Sequence, residues 1–138
     1  MPDLATFVSP RAFIESPEAL IDGASACLDR FTDRFNACDA EGVDAELHFP
    51  HVMWSGASRL EWPNAGRHPT DFFDTLKRSG WHHTRYEDKQ AALVGRDKVH
   101  FLVTYSRRRA DNEILSMHTN LWMVVRIDDR WGICLRSY

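Results

Sequence analysis

The chain has 138 residues, of which 43% are hydrophobic and 27% charged; that size and balance suit one globular domain and exclude a disordered or fibrous chain. Seventeen Lys and Arg stand against 20 Asp and Glu, a net charge of −3, which supplies no general electrostatic pull toward nucleic acid or an anionic membrane. The longest apolar runs, such as Leu121 to Val125, are far too short to span a bilayer. The opening residues lack a basic end followed by an apolar stretch, so a cytoplasmic protein is expected.

Residues 1 to 15 read as an extended lead-in to a single domain that occupies 1–138. Ser16-Pro17 marks a helix start, a capping hydroxyl followed by proline at the first helical position. Leu20, Ala24, Cys27, Leu28, Phe31, Phe35 and Cys38 then recur at three- and four-residue spacing, one apolar stripe along a helix over 17–38. The cysteines Cys27, Cys38 and Cys134 are odd in number. Cys27 and Cys38 share that helix about 16 Å apart at ~1.5 Å per residue, beyond bridging reach, so reduced thiols are expected.

Asp39 can cap a shorter helix from Ala40 to Leu47. Residues 48–54 read as a strand that Pro50 confines to an edge or a bulge, and 56–68 as a loop or loose hairpin. Thr70 is placed to cap a third helix with Phe72, Phe73 and Leu76 turned inward and Gly80 as its stop. From Trp81 onward the pattern is strand and turn: Trp81 to Val94, an alternating segment through Val99, Phe101, Val103 and Tyr105, a return over Ile114 to Ile127, and a closing strand from Trp131 to Tyr138. Helices first and an antiparallel meander after them define an α+β class with helices on one face of the sheet.

This order of elements resembles the nuclear-transport-factor-2-like superfamily, the SnoaL-like or cystatin-like α+β barrels. Three stretches carry the resemblance: FTDRFNACDAEGVDAELHFPHVMWSG, DKVHFLVTYSRRRADNEIL and the ending WMVVRIDDRWGICLRSY. It covers residues 17 to 138 and leads to a bacterial subgroup without an assigned reaction. The resemblance implies a curved antiparallel sheet wrapped around the long N-terminal helix as a cone, open at one end as an apolar pocket, and a homodimer. It also implies small-molecule binding, with isomerase, dehydratase or cyclase chemistry on a small apolar carbonyl compound in some relatives. A non-catalytic binding protein and a dimeric interaction module are the alternatives, because one fold hosts many activities.

No carboxylate occupies the alternating apolar positions of the last strands, so the carboxylate pair of the steroid isomerases is not recognisable. Neither a His-Glu-x-x-His nor a Cys-x-x-Cys spacing occurs, and His48 and His51 make a poor chelate on one strand, so neither metal nor cofactor is expected. His82 shares a strand face with Thr84 and Tyr86, which makes His82 and Tyr86 the candidate acid–base pair. Tyr105 and Arg107 continue the phase of Val99, Phe101 and Val103, and Arg136 follows that of Gly132 and Cys134. Both guanidiniums therefore become candidate anchors for a ligand carboxylate, with Trp62 at the rim. The competing role for Arg136 is a salt bridge to Asp39 or Glu46. Trp122 alternates with Asn120 and Val124 opposite Leu121, Met123 and Val125. Two apolar faces on one strand require cover on both sides, and Trp122 is assigned to the outer, subunit-facing side. The expected ligand is a small, apolar, anionic molecule.

Overall fold

A computed structural model describes residues 3–138. The N-terminal segment is not wholly extended: Asp3 caps a short helix α1 (Leu4–Val8), its carboxylate accepting from the Thr6 amide at 3.0 Å. Ser16 caps α2 (Pro17–Asn36) as expected, its hydroxyl accepting from the Ala19 amide at 3.2 Å. The helix stops two residues before Cys38, which takes a left-handed φ of 57°. Asp39 caps α3, and this helix is shorter than the sequence implies (Ala40–Asp44), because Leu47 is drawn into the first strand.

Strand β1 (Leu47–Ser55) and β2 (Ser58–Trp62) form a hairpin. Helix α4 (Phe72–Arg78) starts later than Thr70 predicts; Asp71 holds the capping position and makes no side-chain capping bond. Strands β3 (His83–Gly95), β4 (Lys98–Arg108), β5 (Ile114–Ile127) and β6 (Arg130–Ser137) follow. Trp81 and His82 precede β3 instead of belonging to it. The β5–β6 turn places Asp128 and Asp129 both at positive φ, the backbone a two-residue hairpin of this hand requires.

The six strands make one sheet in the order β2-β1-β6-β5-β4-β3. It is mixed, not wholly antiparallel: β1 runs parallel to β6, and the intervening meander serves as the crossover. Irregularities in register interrupt the β1–β6, β3–β4, β4–β5 and β5–β6 ladders, and each adds local twist that curls the sheet. The slip between Leu47 and Val52 brackets Pro50, the bulge its missing N–H demands.

Helix α2 lies in the resulting trough. Leu20, Ala24, Cys27, Leu28 and Phe31 meet Val99, Phe101, Val103, Val124 and Ile133 in one core. Burial pushes the Cys27 thiol up to about 12, so it stays protonated and inert. Trp122 and Val124 face this core, which corrects their expected outward placement. Both faces of β5 are apolar, so alternation cannot choose between them; the pairing of Trp122 with Phe101 of β4 does. Leu121 and Met123 take the outer side. No helix among the described residues is long and apolar enough to cross a membrane.

The α2 stripe carries the fold. Leu28 is fully buried, so Leu28→Ala should lower stability by about 2–5 kcal/mol, read as a drop in the urea denaturation midpoint with an unchanged slope.

Candidate functional site

Toward one end of the trough the core does not close. A cavity of about 240 Å³ remains between α2, α4 and the concave face of the sheet, walled by Phe31, Phe35, Phe72, Trp122 and Tyr86 among others. Four sequence-derived ligand candidates, Trp62, Tyr105, Arg107 and Arg136, line it. Tyr105 and Arg107 arrive by the alternation of β4. Arg136 arrives differently. Gly132 and Cys134 do not share its phase: Leu135 pairs with Met123 and Ile133 with Val124, so Cys134 is an extra residue in β6. That bulge turns Arg136 inward beside Trp122.

Arg136 is 7% exposed. Its Nε donates to His51 Nε2 at 3.0 Å and its Nη2 to Met53 Sδ at 3.3 Å. The guanidinium carbon stands 5.3 Å from the Phe31 ring centre, 5.8 Å from Tyr138 and 5.9 Å from Trp122, within cation–π range. No carboxylate among the described residues pairs with it. Glu46, a candidate partner, is taken by Arg30 at 2.7 Å and Arg34 at 3.6 Å, and Asp39 lies 4.0 Å from Arg34. The half-buried Arg107 likewise has no ion pair among these residues. The Trp122 indole Nε1 is buried without an acceptor, an orphan donor in the cavity wall.

His51 is fully buried and makes two complementary contacts. Its Nδ1 lies 3.0 Å from the Ile133 carbonyl and its Nε2 accepts from Arg136, which requires the neutral Nδ1–H tautomer. Burial and then the Arg136 charge push this histidine down to about 3. A neutral imidazole therefore orients a permanent cation.

The structure does not bring the two members of the expected acid–base pair together in the cavity. His82 is exposed, outside the cavity, with its Nδ1 2.9 Å from that of His83. The strand starts one residue after His82, so strand alternation does not apply to it. Tyr86 does line the cavity, but its hydroxyl donates to the Leu28 carbonyl of α2 at 2.9 Å, and burial raises its pKa. Its ring is wall and its proton is committed. Tyr105 differs: its oxygen accepts from Asn120 at 3.2 Å and its ring stacks on His118 at 4.9 Å, leaving the phenolic proton free to donate.

Residues that sequence reasoning did not single out complete the site. His68, in the loop before α4, lines the cavity with its Nδ1 3.3 Å from Asp44 Oδ1. Loop residues follow no period, so nothing in the pattern marks His68; Asp44 is read from sequence only as part of a short helix. Among the described residues no three His, Cys, Asp or Glu side chains gather as a metal would require.

A cupped sheet around a helix, with an aromatic cavity at one end, defines the class, and comparison with known proteins agrees. The family described as NTF2-like protein (DUF6841) matches residues 18–136, and the chain belongs to it. Its fold is that of a cystatin-like protein of unknown function from Nostoc punctiforme, at 14% identity and a TM-score of 0.66 over 91% of this chain and 92% of that one. Aln2 from a Streptomyces species is similar at 16% identity and a TM-score of 0.64, covering 89% and 90%. A ketosteroid isomerase-like protein from Erwinia carotovora is similar at 13% identity and a TM-score of 0.57, covering 85% and 92%. No curated protein matches the chain.

The depressed His51 carries a pH signature. An unfolded histidine titrates near ~6.5, so below that pH the unfolded chain takes up a proton that the folded chain refuses. The contribution is complete above about pH 6.5 and is lost at up to ~1.4 kcal/mol per pH unit as pH falls toward 3. Denaturation midpoints should fall over that window. His51→Gln, which keeps an acceptor for Arg136 but cannot titrate, should flatten the slope.

Proposed function

We propose that this protein binds a compact organic carboxylate in the cavity, with the carboxylate on Arg136 and the apolar body against Phe31, Phe35 and Trp122. The observation that carries the reading is the Arg136 guanidinium, buried among aromatic rings with a neutral histidine and a thioether as its polar neighbours. Burying an unpaired charge costs several kcal/mol, and an anionic ligand offsets that cost with strong, bidentate hydrogen bonds. Arg107 adds a second positive charge to the same cavity, and the orphan Trp122 N–H offers one more donor. The volume, at the ~30 Å³ a water occupies, suits a molecule of on the order of ten non-hydrogen atoms, smaller than the drug-sized ligands of larger pockets. Isomerase chemistry, as in the name of the ketosteroid isomerase-like neighbour, is the catalytic form of the reading; a binding protein without chemistry is the other.

Leu102 and Met123 on the convex face support pairing of two copies through that side of the sheet. Sedimentation of a monomer at micromolar concentration would remove that part of the reading.

The binding test uses small aryl and branched aliphatic carboxylates, with phenylacetate against phenylacetamide as the central pair. Quenching of tryptophan fluorescence should report phenylacetate binding at least tenfold tighter than the amide. Arg136→Met should abolish the difference while keeping stability within about 2 kcal/mol of wild type, because relief of the buried charge offsets the loss of the His51 contact. Equal binding of acid and amide by the wild type would refute the carboxylate anchor.

A further inference from the structure

Asp44 and His68 form a second polar feature of the cavity wall, separate from the Arg136–His51 pair. Both side chains are 8% exposed. Asp44 is anchored through Oδ2, which accepts from the Gly66 amide at 2.9 Å. Its Oδ1 lies 3.3 Å from His68 Nδ1, outside good hydrogen-bonding alignment, and neither atom has another partner. The His68 ring is held edge-on between Trp62, 4.7 Å away, and Phe72, 5.6 Å away. A carboxylate beside Nδ1 holds the proton there, so the lone pair sits on Nε2, which makes no protein hydrogen bond among the described residues. The two residues also border an outer cleft floored by Ala40, Ala45 and Gly66, so the pair spans the wall between cavity and exterior.

We propose that His68, oriented by Asp44, is a proton-transfer centre acting on a carbonyl compound whose carboxylate rests on Arg136. This deepens the carboxylate-binding reading and rests on it. The groups facing His68 are Asp44 from α3, Arg136 from β6 and His51 from β1. Burial and the Arg136 charge lower its pKa, and Asp44 raises it; the net shift is downward, so the imidazole is neutral and basic near pH 7.

The step balances without a co-reactant. Nε2 takes a proton from the carbon beside the carbonyl. The C–H electron pair becomes the new C=C bond, and the carbonyl π pair moves to oxygen as an enolate, toward which the free phenolic proton of Tyr105 can be offered. The imidazolium so formed is stabilised by Asp44 and returns its proton to carbon or oxygen. His68 is the catalytic residue; Asp44 is a positioning residue.

Phenylpyruvate is the probe. In D₂O near neutral pH, the wild type should replace its C3 protons with deuterium at least tenfold faster than the spontaneous rate, followed by proton NMR. His68→Gln should return the rate to the spontaneous level while fluorescence still reports phenylpyruvate binding. Asp44→Asn, which keeps an acceptor for the Gly66 amide, should slow exchange at least tenfold. It should also lower the His68 titration midpoint measured on ¹⁵N-histidine-labelled protein, which a merely structural aspartate would leave in place. Phenylpyruvate that binds to the wild type without faster exchange overturns the proton-transfer centre and leaves carboxylate binding standing. If phenylpyruvate does not bind, the labelled protein decides: a proton on Nδ1 with a midpoint that falls in Asp44→Asn supports the pair. A proton on Nε2, or an unmoved midpoint, overturns it. Failure of every carboxylate to bind, with the NMR signature intact, refutes the binding reading alone.

Discussion

The apolar stripe of α2 can be buried by a single sheet only if that sheet curls around it, and the remaining features of the molecule follow from how the curl is achieved. A regular sheet of six strands is too flat to cup a helix. Here the ladders are interrupted at several points, and each extra residue adds twist. The core fills one end of the trough with Leu20, Val99, Phe101 and Ile133. At the other end the wall is aromatic, and rigid rings meeting edge to face, as Phe35 does with Phe72, Phe73 and Trp81, leave a gap.

The same irregularity that bends β6 decides what faces that gap. The extra residue at Cys134 reverses the phase of the strand, so a residue that a regular strand would point outward carries its guanidinium into an apolar cavity. The fold then manages the charge with minimal means: His51 is kept neutral by burial and by the charge itself and supplies one lone pair, the Met53 thioether supplies a second acceptor, and aromatic faces surround the remainder. An internal carboxylate would have neutralised Arg136 and closed the site electrostatically. Glu46 is held by Arg30 and Arg34, and Asp44 by Gly66 and His68.

Membership of the NTF2-like family establishes the architecture and little chemistry, since this cup accommodates unrelated activities and similarity at 13–16% identity speaks to fold alone. This chain holds two polar devices in one apolar cavity. One is a cation deprived of an anion. The other is an imidazole with one nitrogen directed by a carboxylate and the other unclaimed. The two sit on different elements, Arg136 on β6 and His68 in the loop before α4.

Sequence alone determined the elements governed by short-range rules. The Ser16-Pro17 start and the period of α2 follow from capping and helical spacing, and the bounds of β5 from alternation and turn residues. The Pro50 bulge follows from a missing N–H. Tyr105 and Arg107 were legible as inward-facing because β4 is regular. Tertiary structure decided what those rules leave degenerate. The inner face of β5, and with it Trp122, was chosen by register with β4. The phase of Arg136 was set by a bulge that no local pattern announces. The partnership of Asp44 with His68 joins two residues whose connection exists only once β1 and β2 are folded between them, since loop side chains have no period and are placed by packing alone.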